Sequence, residues 1–511
     1  MPVEIAAKPA TWTSSAEALV LLLLATCSRQ GREIERLTRE RGELAEANRA
    51  LVAEGDELRQ RNQELSRRVG QNSTNSSKPP SSDGLKRKRR TARSPERERR
   101  KRLGRKPGKQ KGAPGHHLAM TSRPDRVVEL LPGICEKCSG SLVEHAGEAG
   151  MERRQVMDLP PPSGLEATEY RAISLRCREC GDVTKPAFPE WAKAPVQYGP
   201  RMHARASYLA VRQYMPFERM AELFHDDYGV KVSVGTLVAM VRRGGARVLP
   251  ALEEIKCQLQ RAAVVNVDET GGHVGGQLKW VHGAATDQLT LLGINDRRGV
   301  DGIKALGVLE EMVGIVVHDA WPAYWNVGFE KVSGHGLCNA HHLRELLAVT
   351  DFDEQRWSER MTNLLLEMLA HRNAAMAAGR TELEPEQVAA FEDAYDRVIR
   401  EGWRENRWCK GKRRKSKAAN LLLRLEEHRD EVLRFLYDFA VPFTNNEIEG
   451  DLRMTKLHEK ISGGWRSMEG ARAFLAVRSY LATARKQGQG MLEVLTAAFE
   501  GRPWMPAAAG P

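Results

Sequence analysis

Leucine returns every seventh residue at Leu37, Leu44, Leu51, Leu58 and Leu65, in a stretch rich in Glu, Arg and Ala and free of proline. That period predicts a helix over 30–70 whose leucines occupy the d positions of a heptad repeat. The a positions read Ile34, Arg41, Asn48, Gly55 and Asn62. Asn at a favours a parallel dimer and fixes its register at some loss of stability. A short dimerising zipper is the functional reading; a solvated helix, or one packed on its own chain, fits the same pattern. The heptads stop at a polar, Pro-containing linker over 71–84. Helical spacing resumes over 200–245. It predicts a helix over Met202–Tyr214, a second opening at Pro216, a turn at Gly229 and a Ser233-capped third helix over Val234–Val241. That is the outline of a helix-turn-helix, and equally of an ordinary helical hairpin.

From Ala262 the texture changes. A mostly apolar run, Ala263–Val267, leads into Asp268, and a second, Val313–Val317, leads into His318 and Asp319. Between them the pattern predicts strands near Leu278–Ala284 and Leu289–Ile294 and a helix over Val300–Leu309. Two strands with a crossover helix between them predict a largely parallel α/β core, with a carboxylate at the C-terminal end of each strand, where such sheets bind ligands. Residues 346–440 read as mostly helical, with helices over Met361–Leu369, Glu386–Ile399 and Asn420–Phe439.

Charge adds a partner to this picture. Of the net +12, residues 85–112 carry 15 Lys/Arg against Glu96 and Glu98, so the rest of the 511-residue chain is close to neutral. Such an arm binds phosphates with strong salt dependence, and Lys86, Arg87, Lys88, Arg89, Arg90, Arg105 and Lys106 are its candidate contacts. A second basic stretch, Lys412, Arg413, Arg414 and Lys415, follows Trp403 and Trp408 and has the mix of cations and aromatics that tracks a nucleic acid. A solvated tail or loop is the bland alternative for each. The apolar run Ala18–Ala25 is too short to span a bilayer, so a cytoplasmic, nucleoid-associated protein with no membrane partner is expected.

Four of the eight cysteines form two CxxC pairs, Cys135/Cys138 and Cys177/Cys180. Each pair can point two thiolates at one centre, and together they would complete a closed tetrahedral site for structural zinc. Cys338, His341 and His342 hold a further Cys-x-x-His pair, for which packing or a DNA-facing role is expected because no second pair accompanies it. Asp268 and Asp319 would repel each other unless a cation stood between them, and hard oxygen donors select magnesium or manganese. Alternatively each acid caps the helix after its strand. A third acid is expected further on, and Glu447, Glu449 and Asp451 compete for the role. On a helix starting near Asn446, Glu449, Arg453 and Lys456 share one face.

In order along the chain stand the NSSKPPSSDG linker, the GRKPGKQKGAPGH arm, the two knuckles, VDET, HDAWPAY, LCNAHHLREL, TNNEIEGDLRMTK, KISGGWRS and RSYLATARKQG. This ordered set resembles the large transposases of the insertion-sequence-66 family, DDE transposases with a ribonuclease-H-like fold. The resemblance implies a multidomain α/β protein. Its parts are a coiled coil (30–70), linker and basic arm (71–115), zinc ribbon (120–195), helix-turn-helix-like helices (200–250), a catalytic core (260–460) with a helical insertion (346–440), and a C-terminal helical segment (461–511). It makes Asp268, Asp319 and Glu449 the catalytic acids holding two magnesium or manganese ions, with structural zinc on Cys135, Cys138, Cys177 and Cys180. Arg453 and Lys456 join the DNA contacts. Gly450 stands where the family pattern places Arg. The implied partners are terminal inverted repeats, target DNA, a homodimer or higher synaptic oligomer, and accessory proteins of the same element. The rivals are a non-catalytic DNA-binding regulator, a nuclease or resolvase that cuts without joining, and a decayed transposase that only binds ends.

Overall fold

The computed structural model describes residues 14–71, 119–142, 151–157, 163–407 and 416–507. The basic residues Lys86–Arg90, Arg105, Lys106 and Lys412–Lys415 lie outside them. Helix α1 (Ser14–Gly70) contains the heptads but begins well before them. Its five heptad leucines are 50–70% exposed, so the seam is open to solvent. Among the described residues, no helix is long and apolar enough to cross a membrane.

The chain divides into two compact units, one including Gln260–Asp268 and Val308–Glu449, the other including Leu85–Leu259, Glu269–Gly307 and Gly450–Pro511. In the second unit, strands β1 (Leu175–Arg176) and β2 (Val183–Thr184) form a small antiparallel pair. Helices α2 (Pro200–Val211), α3 (Phe217–Tyr228), α4 (Val234–Arg247) and α5 (Leu249–Arg261) follow. The expected punctuation is present. Gly229 ends α3 in the left-handed region (φ 65°), and the Ser233 side chain accepts from the Thr236 amide to start α4.

Strand β3 (Val264–Val274) leads to β4 (Gln277–Ala285), β5 (Thr290–Asn295), α6 (Val300–Leu306), β6 (Ile315–His318) and β7 (Gly334–Leu337). The hydrogen-bonded strand order is β5-β4-β3-β6-β7. The sheet is mixed rather than largely parallel: β3, β6 and β7 run parallel, whereas β4 pairs antiparallel with β5. Asp268 is not at a strand end either. β3 runs six residues past it, because the strand leaves β6 after Asn266 and continues towards the Gly275-Gly276 turn, where positive φ at both glycines reverses the chain. Helix α6 is shorter than expected because Gly307 (φ 73°) caps it.

In the first unit the chain leaves β7 as α7 (Asn339–Asp353), α8 (Arg356–Ala377), α9 (Pro385–Glu405), α10 (Lys417–Glu427) and α11 (Arg429–Tyr437). The single helix expected over Asn420–Phe439 is two, broken at His428 (φ −113°, ψ 37°). These helices close on a core of Trp357, Met361, Leu365, Tyr395, Leu422 and Phe435. Then come α12 (Asn446–Ser462), α13 (Met468–Lys486) and α14 (Met491–Phe499). In the second unit α13 completes the edge strand. Thr483 Oγ1 and Ser479 Oγ accept from the amides of Thr290 and Leu292 at 3.0 and 2.9 Å, pairing β5 donors that the ladder leaves open.

Candidate active site

The parallel ladder of β3 on β6 pairs Val264 with Ile315, Val265 with Val316 and Asn266 with Val317. Asp268 and Asp319 each follow the last pair by two residues, past the point where β3 leaves β6. Asp319 sits in a tight turn: its Oδ1 accepts from Trp321 N at 3.1 Å, and Ala320 adopts a left-handed backbone (φ 67°). His318, just before it, is wholly buried. Its Nδ1 accepts from Ala320 N at 3.2 Å, so the ring carries its proton on Nε2, which lies 3.0 Å from His335 Nδ1. Burial, and then the neighbouring His335, hold His318 well below the usual histidine range. Sequence reasoning gave this ring no role; it fixes the turn that presents Asp319.

Glu449 reaches the same region from the first turns of α12. Two clasps position it. Asn445, fully buried, donates from Nδ2 to Val267 O at 2.8 Å and from its backbone amide to Cys338 Sγ at 3.1 Å. Asn339 N donates to Phe443 O at 3.0 Å, and Cys338 N to His318 O at 2.9 Å. The middle of β3 and the ends of β6 and β7 are thereby tied to the residues that precede α12.

Glu449 Oε1 lies 3.9 Å from Cys338 Sγ, 3.7 Å from His341 Nδ1 and 3.9 Å from Arg344 Nη2. Burial pushes the Cys338 thiol up to about 11, with the Glu449 charge adding to the effect. Burial, and then Arg344 and Arg424, push His341 down to about 4, so its ring is neutral. His342 is a packing residue, buried with Nδ1 3.1 Å from Asn339 Oδ1. Among the described residues, Cys338, His341 and Glu449 are the only His, Cys, Asp or Glu side chains that bring three ligand atoms within 4.8 Å of one another. Asp268 and Asp319 stand outside that group.

Of the acids competing with Glu449, Glu447 is exposed and Asp451 is engaged elsewhere, as is Glu269. In the second unit Glu269 is buried against Arg298 (2.7 Å), which also lies over the Trp280 ring. Asp451 accepts from Thr290 Oγ1 at 2.7 Å and faces Lys486 at 3.6 Å and Arg478 at 3.9 Å. Arg453 is exposed, and Lys456 pairs with Glu459 at 3.1 Å.

The two cysteine knuckles form the same turn twice. Ser139 N donates to Cys135 O and Cys135 N to Gly140 O; Gly181 N donates to Cys177 O and Cys177 N to Asp182 O. Ser139 and Gly181 take the left-handed conformation (φ 58° and 77°). Backbone amides of the next residues, then the second cysteine of each pair, lower the Cys135 and Cys177 thiols. Each pair is thus preset for a soft cation, but the four thiols do not meet at one centre.

A family model described as Transposase IS66 family matches residues 195–473. The chain belongs to that family. Its members are the transposases of insertion sequences, so membership carries an enzyme that cuts DNA. The match spans every residue of the Asp268, Asp319 and Glu449 region just described. A second model, a family of unknown function (DUF6444), matches residues 31–119, which take in the heptads and the basic arm. No curated protein matches the chain.

Proposed function

We infer that this IS66-family transposase binds the terminal inverted repeats of its element, cuts a strand at the element's end and joins the freed 3′-hydroxyl to target DNA, using Asp268, Asp319 and Glu449 on a ribonuclease-H-like core. The observation that supports this reading is the pairing of β3 and β6 as adjacent parallel strands, with Asp268 and Asp319 each two residues past the last pair along its own strand and Glu449 in the first turns of α12. This donor set suits magnesium or manganese, and two such ions would supply activation of the attacking oxygen and charge stabilisation of the leaving one. The chain's own work is positioning. Asn445 holds the start of α12 against β3, and the Ala320 turn sets the direction of Asp319. Neutral His341 and His318 add no positive charge beside the carboxylates.

DNA contacts belong, on this reading, to the basic stretches at 86–90, 105–106 and 412–415, to Arg453 and Lys456, and to the helix-turn-helix of α3 and α4. Each knuckle would offer one thiolate pair to zinc, and the heptads of α1 pair two protomers so that two ends can be brought together. The exposed heptad leucines support the last point.

The test is a magnesium- or manganese-dependent cleavage and strand-transfer assay on the element's own end DNA. Asp268→Asn, Asp319→Asn and Glu449→Gln should each lower product by on the order of 100-fold or more while retaining end binding. Cutting without joining would make the protein a nuclease. Tight end binding with no metal-dependent product would leave a regulator or a decayed transposase.

A further inference from the structure

Cys338, His341 and Glu449 make a donor set that the cleavage chemistry does not call for. Oxygen-seeking ions gain nothing from a thiol and an imidazole, whereas zinc and its neighbours prefer them. The geometry is close to that of a bound ion. Zinc bonds of roughly 2.0–2.3 Å put tetrahedral donors about 3.3–3.8 Å apart. Here Glu449 Oε1 is 3.7 Å from His341 Nδ1 and 3.9 Å from Cys338 Sγ. His341 Nδ1 is buried and has no hydrogen-bond partner, an arrangement that favours an occupant. Cys338 caps the start of α7 and His341 lies in its first turn, so one helix end fixes two donors and α12 brings the third.

We propose that Cys338, His341 and Glu449 form a site for a zinc-like divalent cation, and that filling it withdraws Glu449 from the acid set and switches cleavage off. On binding, the ion exchanges water for three protein donors, and the Cys338 thiol proton passes to solvent as the sulfur–metal bond forms. A fourth position stays open to water. The Arg344 guanidinium, 3.9 Å from the same Glu449 oxygen, opposes the ion and keeps the site weaker than a closed structural one. The binding half of the proposal stands on geometry alone; the switching half rests on Glu449 acting as the third acid.

The two halves are read separately. Zinc bound per chain is measured by equilibrium dialysis of the full-length protein at buffered free zinc, for wild type, Cys338→Ser and His341→Gln. Circular dichroism verifies that each variant is folded. Wild type should hold one zinc ion more than either variant, or hold that ion more tightly by over about tenfold, the loss typical of removing even an outer-shell partner. Equal zinc content and affinity in all three folded proteins would overturn the site. Magnesium-dependent cleavage by wild type is then followed across the same zinc range. It should fall as the Cys338-dependent ion binds, and cleavage unchanged with that ion in place would overturn the switch. A chain that binds the ion but never cleaves with magnesium would sink the transposase reading and the switch, and leave the binding site standing.

Discussion

Gly450 stands beside Glu449 on an exposed face of α12, and a Cβ built there meets nothing within 4 Å. Nothing in the packing requires glycine, and an arginine, as in the family pattern, has room. Gly450→Ala should therefore stabilise the fold by about 0.5–1 kcal/mol, read as a rise in the denaturation midpoint. At this scale the candidate acids were legible in the sequence. Asp268 and Asp319 close apolar runs, and a run ending in an acid is visible without a structure. The residues alone left Glu447, Glu449 and Asp451 competing for a third role, and only the family resemblance chose Glu449. In the structure Thr290, Lys486 and Arg478 engage Asp451, while His341 and Arg344 face Glu449; Thr290, His341 and Arg344 each lie more than 100 positions from the acid they meet. The meeting of Cys338 and His341 with Glu449 was hidden for the same reason. The Cys-x-x-His pair was plain, but its third donor lay 111 residues away.

Helix α4 approaches α13 so closely that a Cβ at Gly245 would stand 2.7 Å from Ala473 Cα. Backbone cannot yield as a flexible side chain can. Gly245→Ala should destabilise the protein by about 1–3 kcal/mol, seen as a lowered denaturant midpoint with no change in the steepness of unfolding. Elements with a strong period or a clear cap were foreseen: α1 from its heptads, α4 from Ser233, β4 and β5 from their apolar stretches. Those shaped by a partner were missed. β7, Gly334–Leu337, has no apolar run of its own and exists because β6 offers it a ladder. β3 overruns Asp268 because it exchanges one neighbour for another, and the break at His428 follows from no proline or glycine.

The whole molecule should be sensitive to mild acid. Burial holds His203, His335, His341 and His458 at about 4, against an ordinary 6.5, and holds His318 and His342 well below 6.5 too. Below pH 6.5 the unfolded chain takes up protons that the folded chain refuses. Stability is complete above that pH and is lost as pH falls from 6.5 towards 4, by about 1.4 kcal/mol per pH unit for each such histidine. The melting temperature should fall steeply between pH 6.5 and 5; a flat profile there would contradict this account. The helices α7 to α11 have a different consequence, for the order of assembly. They leave β7 at Asn339 and return at Phe443, and one backbone hydrogen bond joins departure to arrival. Threading a disordered segment of that length would make the meeting of Cys338 with Asn445, 107 residues on, entropically slow. Once the five helices have closed on their own core, the two ends are already neighbours. The detour then acts as a short splint, which delivers Cys338 and Asn445, the two halves of the clasp, to each other.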